Sequence, residues 1–480
     1  MIKERQSIRK PGGAPEERRR VNRNYIIVLL LIVSFYACGS KSRDEIDRQD
    51  PPIAVNDDPE QYNVPFKNVP DIEDLTIYQV NMRTFSQEGN FKGVIRRLDS
   101  IKALGVNVVY LMPIFPLGQL KAINSPYCIR NYRAINAEFG SLADLRELVD
   151  KAHERNMAVI LDWVANHTSF DHAWTANSSW YLKDSNGNIS SPPGMGWNDV
   201  AQLNFNNAEM RRAMIKDMKY WVYAANIDGF RCDYADGPPI DFWKQAIDSL
   251  RGISTHKLIL LAEGKRSANY TAGFDLNFGF EFFEKLKNIY SKGSSALEIE
   301  QLNDADYRGA SLRQRIVRYI SNHDVNGSDG TPEELFGGAK GAMAAFVIAA
   351  YMKSVPMIYN GQEVANPVRL TFPFTSTKID WTLNPGVTAA YKKVLSFRNN
   401  SEAIRRGELR SFSNADIVAF SKKSAAEEVL VFVNVRNKVS TCTVPTDLVS
   451  PGWQEVFGQD RPGLASELEL APYSWRVFKK

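Results

Sequence analysis

Apolar and amphipathic segments alternate along the chain between residues 75 and 363. The apolar segments are short continuous runs, namely LTIYQV, VNVVYL, MAVILDW, IDGFRCD, LILLAEG, IVRYISNHD and VPMIYNGQE. Between several of them, apolar residues recur with helical spacing at 94–104, 142–155 and 210–225. Continuous apolar strands are buried on both faces, as the strands of parallel sheets are. Strand followed by helix, repeated about eight times, predicts an α/β fold with a closed parallel (β/α)8 barrel, the TIM barrel.

Two changes of pattern divide the chain further. Residues 168–204, directly after the third strand, are rich in Trp, Asn, Gly and Pro and predict an inserted loop subdomain on the face where such barrels build their active sites. From residue 399 short alternating segments replace the helices, as in EVLVFVNV and SWRVFKK, and predict a C-terminal all-β sandwich over 399–480. The predicted catalytic barrel covers 71–398. Residues 39–70 are rich in Asp and Pro and predict a disordered linker.

The N-terminal segment, residues 1–38, has the pattern of an export signal. Four arginines within 18–23 precede the apolar stretch 25–37, which ends at Cys38. This favours a lipoprotein signal with Cys38 as the lipidated first residue of the mature chain. The alternatives are a non-lipidated signal or an uncleaved anchor, although the stretch is shorter than the roughly 20 residues that span a bilayer core. The lipoprotein interpretation predicts an exported protein anchored to the membrane, periplasmic or on the cell surface.

Composition and charge narrow the function. The chain of 480 residues is 44% hydrophobic, and its 59 basic and 55 acidic residues give a formal net charge of +4. Because the densest basic run lies in the signal segment, a nucleic-acid partner is excluded. The remaining cysteines, Cys128, Cys232 and Cys442, have neither a disulfide framework nor metal-ligand spacing, so no essential disulfide is expected.

Three carboxylates stand where the chemistry of a barrel is expected. Asp233, Glu263 and Asp324 each end a predicted strand, and the strand ends of a barrel converge on one pocket. A single acidic residue at such a position more often solvates a loop or caps a helix. Three of them together favour a catalytic site.

The residues around two of these carboxylates suggest different charge states. Strand alternation points Arg231 and Asp233 into the barrel and Cys232 outward, and a neighbouring arginine favours an ionised Asp233. Glu263 follows an apolar strand, where burial beside another carboxylate raises the pKa. One ionised and one protonated carboxyl group, about 5 Å apart, is the arrangement of a retaining glycosidase.

The motifs also resemble a known family. The segments LDWVANH, GFRCDYADG, LLAEG and ISNHD are similar to the four conserved regions of the α-amylase family, glycoside hydrolase family 13, and occur in the same order. SPYCIRNYRAINAEFGS and VPMIYNGQE also resemble family segments, and the resemblance covers about residues 75–480. It implies that Asp233 is the nucleophile, Glu263 the general acid/base, and Asp324 a carboxylate that binds sugar hydroxyls.

The resemblance assigns supporting residues as well. His167 and His323 match the histidines that hold the reacting sugar, and Tyr127 matches the tyrosine on which that sugar stacks. Arg231 matches the arginine that orients the nucleophile, and Asp162 matches the acidic residue that supports this arginine.

The family's calcium site is not matched in full. Asn166 matches its asparagine, but Gln202 stands where an aspartate is usual, and Gly237 occupies the position four residues after the nucleophile. A hard cation prefers anionic oxygen ligands, so no bound metal or other cofactor is expected, and Asn166 becomes a residue that orders the loop. Four aromatic residues of the insert allow either core packing or stacking on a sugar: Trp174, Trp180, Tyr181 and Trp197.

The resulting prediction is a retaining glycoside hydrolase that cleaves α-glucosidic bonds in starch-like glucans or maltooligosaccharides by double displacement. Transglycosylation on the same site is the alternative, and a non-catalytic carbohydrate-binding protein is the less favoured one. The motif residues do not distinguish α-1,4 from α-1,6 bonds, or polymers from oligosaccharides.

Overall fold

The computed structural model describes residues 58–458 and 463–480. The predicted signal segment, Cys38 and residues 39–57 of the predicted linker lie outside the described residues. In the two described ranges, no helix is both long and apolar enough to cross a membrane.

Eight parallel strands close a barrel, and two short antiparallel strands form a hairpin within the insert. In chain order these ten strands are β1 (Ile77–Val80), β2 (Val108–Leu111), β3 (Ala158–Val164), β4 (His167–Ser169), β5 (Val200–Gln202), β6 (Gly229–Asp233), β7 (Ile259–Ala262), β8 (Leu276–Phe278), β9 (Arg315–Arg318) and β10 (Val355–Tyr359). The barrel order is β1-β2-β3-β6-β7-β8-β9-β10, closing on β1, and every barrel strand is buried along its length. The predicted (β/α)8 fold is confirmed.

Helices surround the barrel. They are α1 (Met82–Phe85), α2 (Phe91–Ile95), α3 (Leu98–Ala103), α4 (Leu142–Glu154), α5 (Ala208–Ala225), α6 (Ile240–Arg251), α7 (Ala268–Ala272), α8 (Phe280–Lys292), α9 (Leu297–Asp306), α10 (Val325–Ser328), α11 (Pro332–Leu335), α12 (Gly338–Tyr351), α13 (Pro385–Asn400) and α14 (Glu402–Arg406). Short 3-10 helices lie at Ile72–Asp74, Ala173–Ala176, Ser178–Trp180, Gln362–Val364 and Thr446–Leu448. The predicted helix over 94–104 is two helices, α2 and α3, which are separated at Arg97.

The insert is joined to the barrel by its hairpin. Strands β4 and β5 pair antiparallel, with His167 opposite Gln202. The insert therefore begins and ends side by side, next to the carboxyl end of β3. Tyr181 is buried and its hydroxyl lies 2.8 Å from that of Thr168. The predicted insert is therefore a small folded unit on the carboxyl-terminal face of the barrel.

The C-terminal region forms antiparallel sheets, as predicted, but they begin at Glu408 rather than at residue 399, because α13 and α14 extend to Arg406. A five-stranded sheet is formed in the order β11-β12-β13-β17-β15, and β14 pairs with β16. These strands are β11 (Glu408–Ser411), β12 (Ile417–Lys423), β13 (Glu428–Asn434), β14 (Ser440–Thr443), β15 (Gln454–Glu455), β16 (Glu467–Leu470) and β17 (Trp475–Lys479). Alternation along β12 sends Val418 and Phe420 into the core shared with the barrel, and Ile417 and Ala419 into a second core with β14 and β16.

Residues 58–70 differ from the disordered linker that the sequence predicts. Tyr62 donates its hydroxyl hydrogen to Asp150 at 2.7 Å, and Phe66 stacks on His153 with ring centroids 4.3 Å apart. Val69 is buried as well, so Phe66 and Val69 pack against the barrel, whereas Val64 is exposed.

Candidate active site

A cavity of about 760 Å³ opens at the carboxyl ends of the barrel strands. Six of the nine site residues predicted within the barrel and its insert line this cavity: Tyr127, His167, Asp233, Glu263, His323 and Asp324. The other three, Asp162, Asn166 and Arg231, are buried beside it. Cys232 belongs to the hydrophobic core, as alternation along β6 predicts, and it is free, like the buried Cys128 and Cys442.

The guanidinium group of Arg231 links the carboxylates at the floor of the cavity. Arg231 has no exposed surface, and its Nη1 atom donates to Asp162 Oδ1 at 2.7 Å and to Asp233 Oδ1 at 3.0 Å. Its Nη2 atom forms an ion pair with Glu263 Oε1. A single cation is therefore shared by three carboxylates, two of which are the predicted nucleophile and the predicted acid/base.

The barrel register explains why these side chains meet. In the parallel pair β3 and β6, Asp162 lies beside Arg231 and Val164 beside Asp233. Neighbouring positions in adjacent strands point to the same side of a sheet, so Asp162 and Arg231 both enter the barrel interior. The two-residue step from Arg231 to Asp233 keeps the second carboxylate on that side, one layer closer to the cavity.

Glu263 has a second donor that the sequence did not reveal. The backbone N–H of Tyr234 donates to Glu263 Oε2 at 2.7 Å. Tyr234 adopts φ 41°, in the left-handed region that non-glycine residues rarely occupy, directly after Asp233. This turn aims the amide at the carboxyl group of the neighbouring strand, so the backbone that carries Asp233 also positions Glu263.

Arg231 lowers the pKa of Asp233, as expected, but other effects outweigh it. Burial, followed by repulsion from Glu263, raises the pKa of Asp233 well above its ordinary value despite Arg231. Burial also raises the pKa of Glu263, against the effects of Arg231 and the Tyr234 amide. The prediction of a raised pKa for Glu263 is confirmed. Because neighbouring carboxyl groups repel each other when both are charged, their protons leave in two steps that belong to the pair rather than to either residue.

A chain of hydrogen bonds fixes His323. The Gln79 amide nitrogen lies 2.8 Å from His323 Nδ1, so Nδ1 accepts and the ring hydrogen belongs on Nε2. Nε2 lies 2.7 Å from the Tyr127 hydroxyl, which in turn donates to Asp162 Oδ2 at 3.1 Å. Burial lowers the pKa of His323 to about 4, which leaves the ring neutral at neutral pH. Tyr127 and His323 also stack, with centroids 5.5 Å apart.

His167 is a second neutral histidine. Burial lowers its pKa to about 4. Its Nδ1 atom lies 3.3 Å from the Asn166 amide nitrogen, and its ring meets Trp197 edge-on with centroids 5.6 Å apart. A neutral ring in the cavity wall can contact a ligand without adding charge.

Asp324 is the most accessible of the three predicted catalytic carboxylates. Its side chain is 59% exposed and lies 3.3 Å from His323 Nε2. The Asn322 side chain accepts from the Asp324 N–H at 2.8 Å and the Val325 N–H at 2.9 Å, which fixes the turn. Asp324 therefore projects into open space at the wall of the cavity rather than contacting the Arg231 cluster.

The four aromatic residues of the insert divide into two groups. Trp174 packs against Trp180 with centroids 5.2 Å apart, and Tyr181 is buried, so these three form the core of the insert. Trp197 instead lines the cavity and contacts the Tyr234 ring at 5.1 Å. Core packing explains the first three, and only Trp197 is in a position to stack on a ligand.

The residues at the family's calcium position do not fit a calcium ion. The Gln202 Nε2 atom donates to the backbone oxygen of Asn166 at 2.9 Å, to Asn166 Oδ1 at 3.2 Å and to the oxygen of Leu203 at 3.2 Å. A neutral amide thus uses oxygens that a hard cation would need, and no carboxylate joins them. A Cβ atom at Gly237 would stand 2.7 Å from Asn166 Oδ1, so the glycine leaves room for this pair. No three His, Cys, Asp or Glu side chains of the described residues come together as metal ligands.

Three contributors to the site were missed by the sequence analysis. Tyr110 donates to Asp162 Oδ2 at 2.6 Å, Gln79 fixes His323, and the Tyr234 amide fixes Glu263. Gln79 in LTIYQV and Tyr110 in VNVVYL are polar groups inside apolar strands, and that signal could have identified them. The contribution of Tyr234 is a backbone N–H group, so no side-chain type in the sequence indicates it.

Comparisons with known proteins agree with the fold and the motifs. The family model for the α-amylase catalytic domain matches residues 57–188. Alpha-amylase 2 of Dictyoglomus thermophilum is 26% identical over 378 residues, which are 73% of this chain and 64% of that protein. Alpha-amylase 3 of the same organism is 26% identical over 490 residues, 86% of this chain and 94% of that one. The solved structure of a noncanonic maltogenic α-amylase, AmyB from Thermotoga neapolitana, shares the fold with a TM-score of 0.76 at 24% identity, over 86% of this chain and 99% of that one.

Proposed function

Because this chain is a glycosidase of the α-amylase family, we propose that it hydrolyses α-glucosidic bonds in starch-like glucans or maltooligosaccharides with retention of configuration. The observation that carries the proposal is the shared guanidinium: Arg231 contacts Asp233 and Glu263 through different nitrogens at the floor of one cavity. Two carboxyl groups held on one guanidinium are compatible with the separation of about 5 Å that double displacement requires.

In the first step Glu263 gives its proton to the glycosidic oxygen while an oxygen of Asp233 attacks the anomeric carbon. The bond between that carbon and the glycosidic oxygen breaks, and the leaving sugar departs as an alcohol. In the second step the Glu263 carboxylate takes a proton from water, and the water oxygen displaces Asp233 from the same carbon. Both carboxyl groups then return to their starting states.

This cycle needs one proton on the pair in the resting enzyme. The raised pKa of both Asp233 and Glu263 supports that state near neutral pH, since burial and mutual repulsion disfavour two negative charges on one guanidinium. A glycosidic oxygen beside Glu263 accepts a hydrogen bond from the protonated form of this residue, which favours the proton on Glu263. Asp233 is then the ionised nucleophile.

The remaining wall residues bind the sugar in this proposal. His167, His323 and Tyr127 line the cavity, and burial lowers the pKa of both histidines to about 4, so a sugar meets polar and aromatic rings without added charge. Asp324, exposed in the cavity, accepts hydrogen bonds from sugar hydroxyls. Arg231 and Asp162 act as positioning residues because both are fully buried.

The test is product analysis with maltotriose, starch, pullulan, cyclodextrin and isomaltose, using Glu263→Gln as the matched control. We expect the wild type to release reducing sugar whose new anomeric centre is α when first formed, as observed by NMR. A β product would contradict double displacement, and activity of Glu263→Gln equal to wild type would overturn the role of Glu263. Sugar binding without release of product would identify a carbohydrate-binding protein, and longer products would identify transfer.

We also propose that the protein is exported and tethered through Cys38. The support is the sequence alone: four arginines in 18–23, the apolar stretch 25–37, and Cys38 at its end. Mass spectrometry of the mature protein from membranes should find a lipid-modified N-terminal cysteine. A mature chain that begins elsewhere would overturn this part of the proposal.

A further inference from the structure

Two exposed apolar side chains lie at the rim of the active-site cavity. Ile123 is 57% exposed and Phe372 is 49% exposed, and both line the cavity. Ile123 belongs to the first rim loop, residues 117–129, which also carries Tyr127. Phe372 belongs to the second rim loop, residues 365–384, which leads to α13. Apolar surface left in water is unfavourable, so its presence inside a concave site indicates contact with a ligand.

One buried arginine joins these two loops. The Nη1 atom of Arg83, in α1, donates to the backbone oxygen of Asn124 at 3.0 Å and to that of Pro373 at 3.0 Å. These two residues directly follow Ile123 and Phe372 in the chain. The two exposed apolar side chains are therefore carried by backbone segments that meet at a single nitrogen atom.

The guanidinium of Arg83 is itself fully held. Its Nε atom donates to Glu138 Oε1 at 2.9 Å, and its Nη2 atom donates to Glu138 Oε2 at 2.8 Å and to Asn124 Oδ1 at 3.0 Å. With the two bonds from Nη1, every N–H group of the side chain has an acceptor. Because the guanidinium is planar and rigid, these bonds fix the position of one rim loop relative to the other.

The second rim loop is also fixed against the turn that carries Asp324. Asn326 Oδ1 accepts from the Leu370 N–H at 2.7 Å. A Cβ atom at Gly327 would stand 3.1 Å from the backbone oxygen of Leu370, so the glycine allows this close approach. Both residues belong to α10, which directly follows Asp324. The loop that carries Phe372 therefore has a defined position relative to the active site.

A row of rings leads from the sugar-binding wall to Phe372. The Phe374 ring meets that of His323 edge-on, with centroids 6.5 Å apart, and it meets the Phe372 ring edge-on at 5.9 Å. Phe374 is buried, whereas Phe372 is not. Because Phe374 separates the two other rings, Phe372 lies beyond the sugar that His323 contacts.

We propose that Phe372 and Ile123 form an apolar surface for a second sugar unit of the substrate, and that Arg83 is the positioning residue of this surface. The inference rests on the proposed function and deepens it, because it assigns a preference for glucan chains over substrates with a single sugar. The apolar face of a glucose ring packs well on an aromatic side chain. A surface that is already fixed costs little ordering when the sugar binds.

The first experiment compares kcat/KM for maltotriose with kcat/KM for α-glucosyl fluoride, which contains one sugar and a leaving group without a ring. We expect Phe372→Ala to lower the ratio of the two values about 3- to 10-fold, and Ile123→Ala to lower it less. Leu120→Ala and Val368→Ala are the matched controls. They are exposed apolar positions of the first and second rim loops that are not among the described residues lining the cavity, and they should keep the wild-type ratio.

Arg83→Met tests the positioning role. It should lower the same ratio, because the rim loops lose their common donor, and it should also lower Tm. Glu138→Gln leaves the bonds from Arg83 to both loops in place and should keep the wild-type ratio. If Arg83→Met lowers both kcat/KM values by the same factor, the residue is structural only and this assignment is overturned.

An unchanged ratio for Phe372→Ala would overturn the proposed surface. If the wild type hydrolyses neither substrate, the proposed function fails, and binding then decides the present inference separately. Isothermal titration of the full chain with maltoheptaose should give a Kd about 3- to 10-fold higher for Phe372→Ala than for wild type. Equal Kd values, or no binding by the wild type, would overturn the inference.

Discussion

The two ends of the barrel contain buried charge of opposite sign. At the carboxyl end, the single guanidinium of Arg231 faces three carboxylates. At the other end, Lys422 and Arg398 are as deeply buried, and within the described part of the chain neither Lys422 Nζ nor Arg398 Nε has a hydrogen-bond partner. A buried imbalance of charge must be relieved by a proton, a pKa shift or a bound ion, and its sign determines which of these can act.

The difference in surroundings separates a reactive site from an enclosed one. The carboxylate cluster opens into a cavity of about 760 Å³, so substrate and water reach its proton. Lys422 and Arg398 are instead enclosed between the sheet and the barrel and have no exposed surface. In our proposal the buried carboxylates carry out acid/base chemistry at one end of the barrel. At the other end, burial and neighbouring cations lower the pKa of Lys422 to about 7.

The largest effect is expected from neutralising one carboxylate of the active site. Asp233→Asn should reduce kcat/KM about 10⁴-fold or more, because the amide cannot form the glycosyl intermediate. The Tm should rise at neutral pH, since a repelled buried charge is removed. Initial rates on maltotriose and a thermal scan measure both. Asp248→Asn, at an exposed position with a side chain 61% accessible, is the matched control and should change neither quantity.

The stability gain should also depend on pH. The pKa of Asp233 is raised in the folded state, so the folded chain retains a proton that the unfolded chain releases. Stability from this group is fully present below the unfolded pKa of about 4 and is lost as pH rises through the folded pKa. The Tm of Asp233→Asn should therefore equal that of wild type in acid and exceed it increasingly toward pH 8. A wild type that is the more stable form at pH 8 would contradict this charge assignment.

The next effect comes from removing the shared cation. Arg231→Met removes the cation that three carboxylates share, and loss of one partner of a buried ion pair costs about 3–5 kcal/mol. We expect a clearly lower Tm and a fall in kcat of about 10²-fold through misplacement of Asp233 and Glu263. Lys422→Met, which removes a cation from the other end of the barrel, should lower neither. If both variants lose similar stability, the two ends do not differ as described.

Much of the barrel and its site could be predicted from sequence. Strand alternation placed Arg231 and Asp233 in the interior, and convergence of strand ends brought Glu263 to them, because both rules depend only on local geometry. Strand β8 escaped prediction, since Leu276–Phe278 is three residues long and lies in a glycine- and aromatic-rich stretch. So short a strand has no periodicity of its own and exists through its neighbours β7 and β9.

What could not be predicted depends on partners distant in sequence. Lys422 stands in DIVAFSK, where an alternating pattern suggests a sheet with one wet face, yet both faces of the sheet are covered. The net upward shift in the pKa of Asp233 was also not predicted. Arg231 is adjacent in the strand and visible in the sequence, whereas burial and the approach of Glu263 depend on the closed barrel. Local pattern gives the position of a side chain, and its energetics follow from the whole fold.

A smaller effect is expected at the cavity wall. Trp197→Ala should raise KM for maltotriose about 3- to 10-fold and leave kcat within twofold, because loss of one stacking surface weakens ground-state and transition-state binding alike. Trp174→Ala, the matched change inside the insert core, should lower Tm and leave KM unchanged. The reverse result would mean that the two tryptophans have been assigned to the wrong surfaces.

The smallest effect should follow metal removal. The oxygens around Asn166 and Leu203 are already satisfied by the Gln202 amide, so a chelator should shift Tm by less than about 1 °C. Gln202→Asp sharpens the test, because a carboxylate repels those oxygens and should lower Tm until a hard cation such as Ca²⁺ is added. A large, calcium-reversible loss in the wild type would contradict the argument. If the Gln202 amide and the added cation stabilise the loop equally, then neutral donors are sufficient to satisfy a site rich in oxygen atoms. Buried cations such as Lys422 and Arg398 differ, because they are themselves donors and need acceptors from elsewhere.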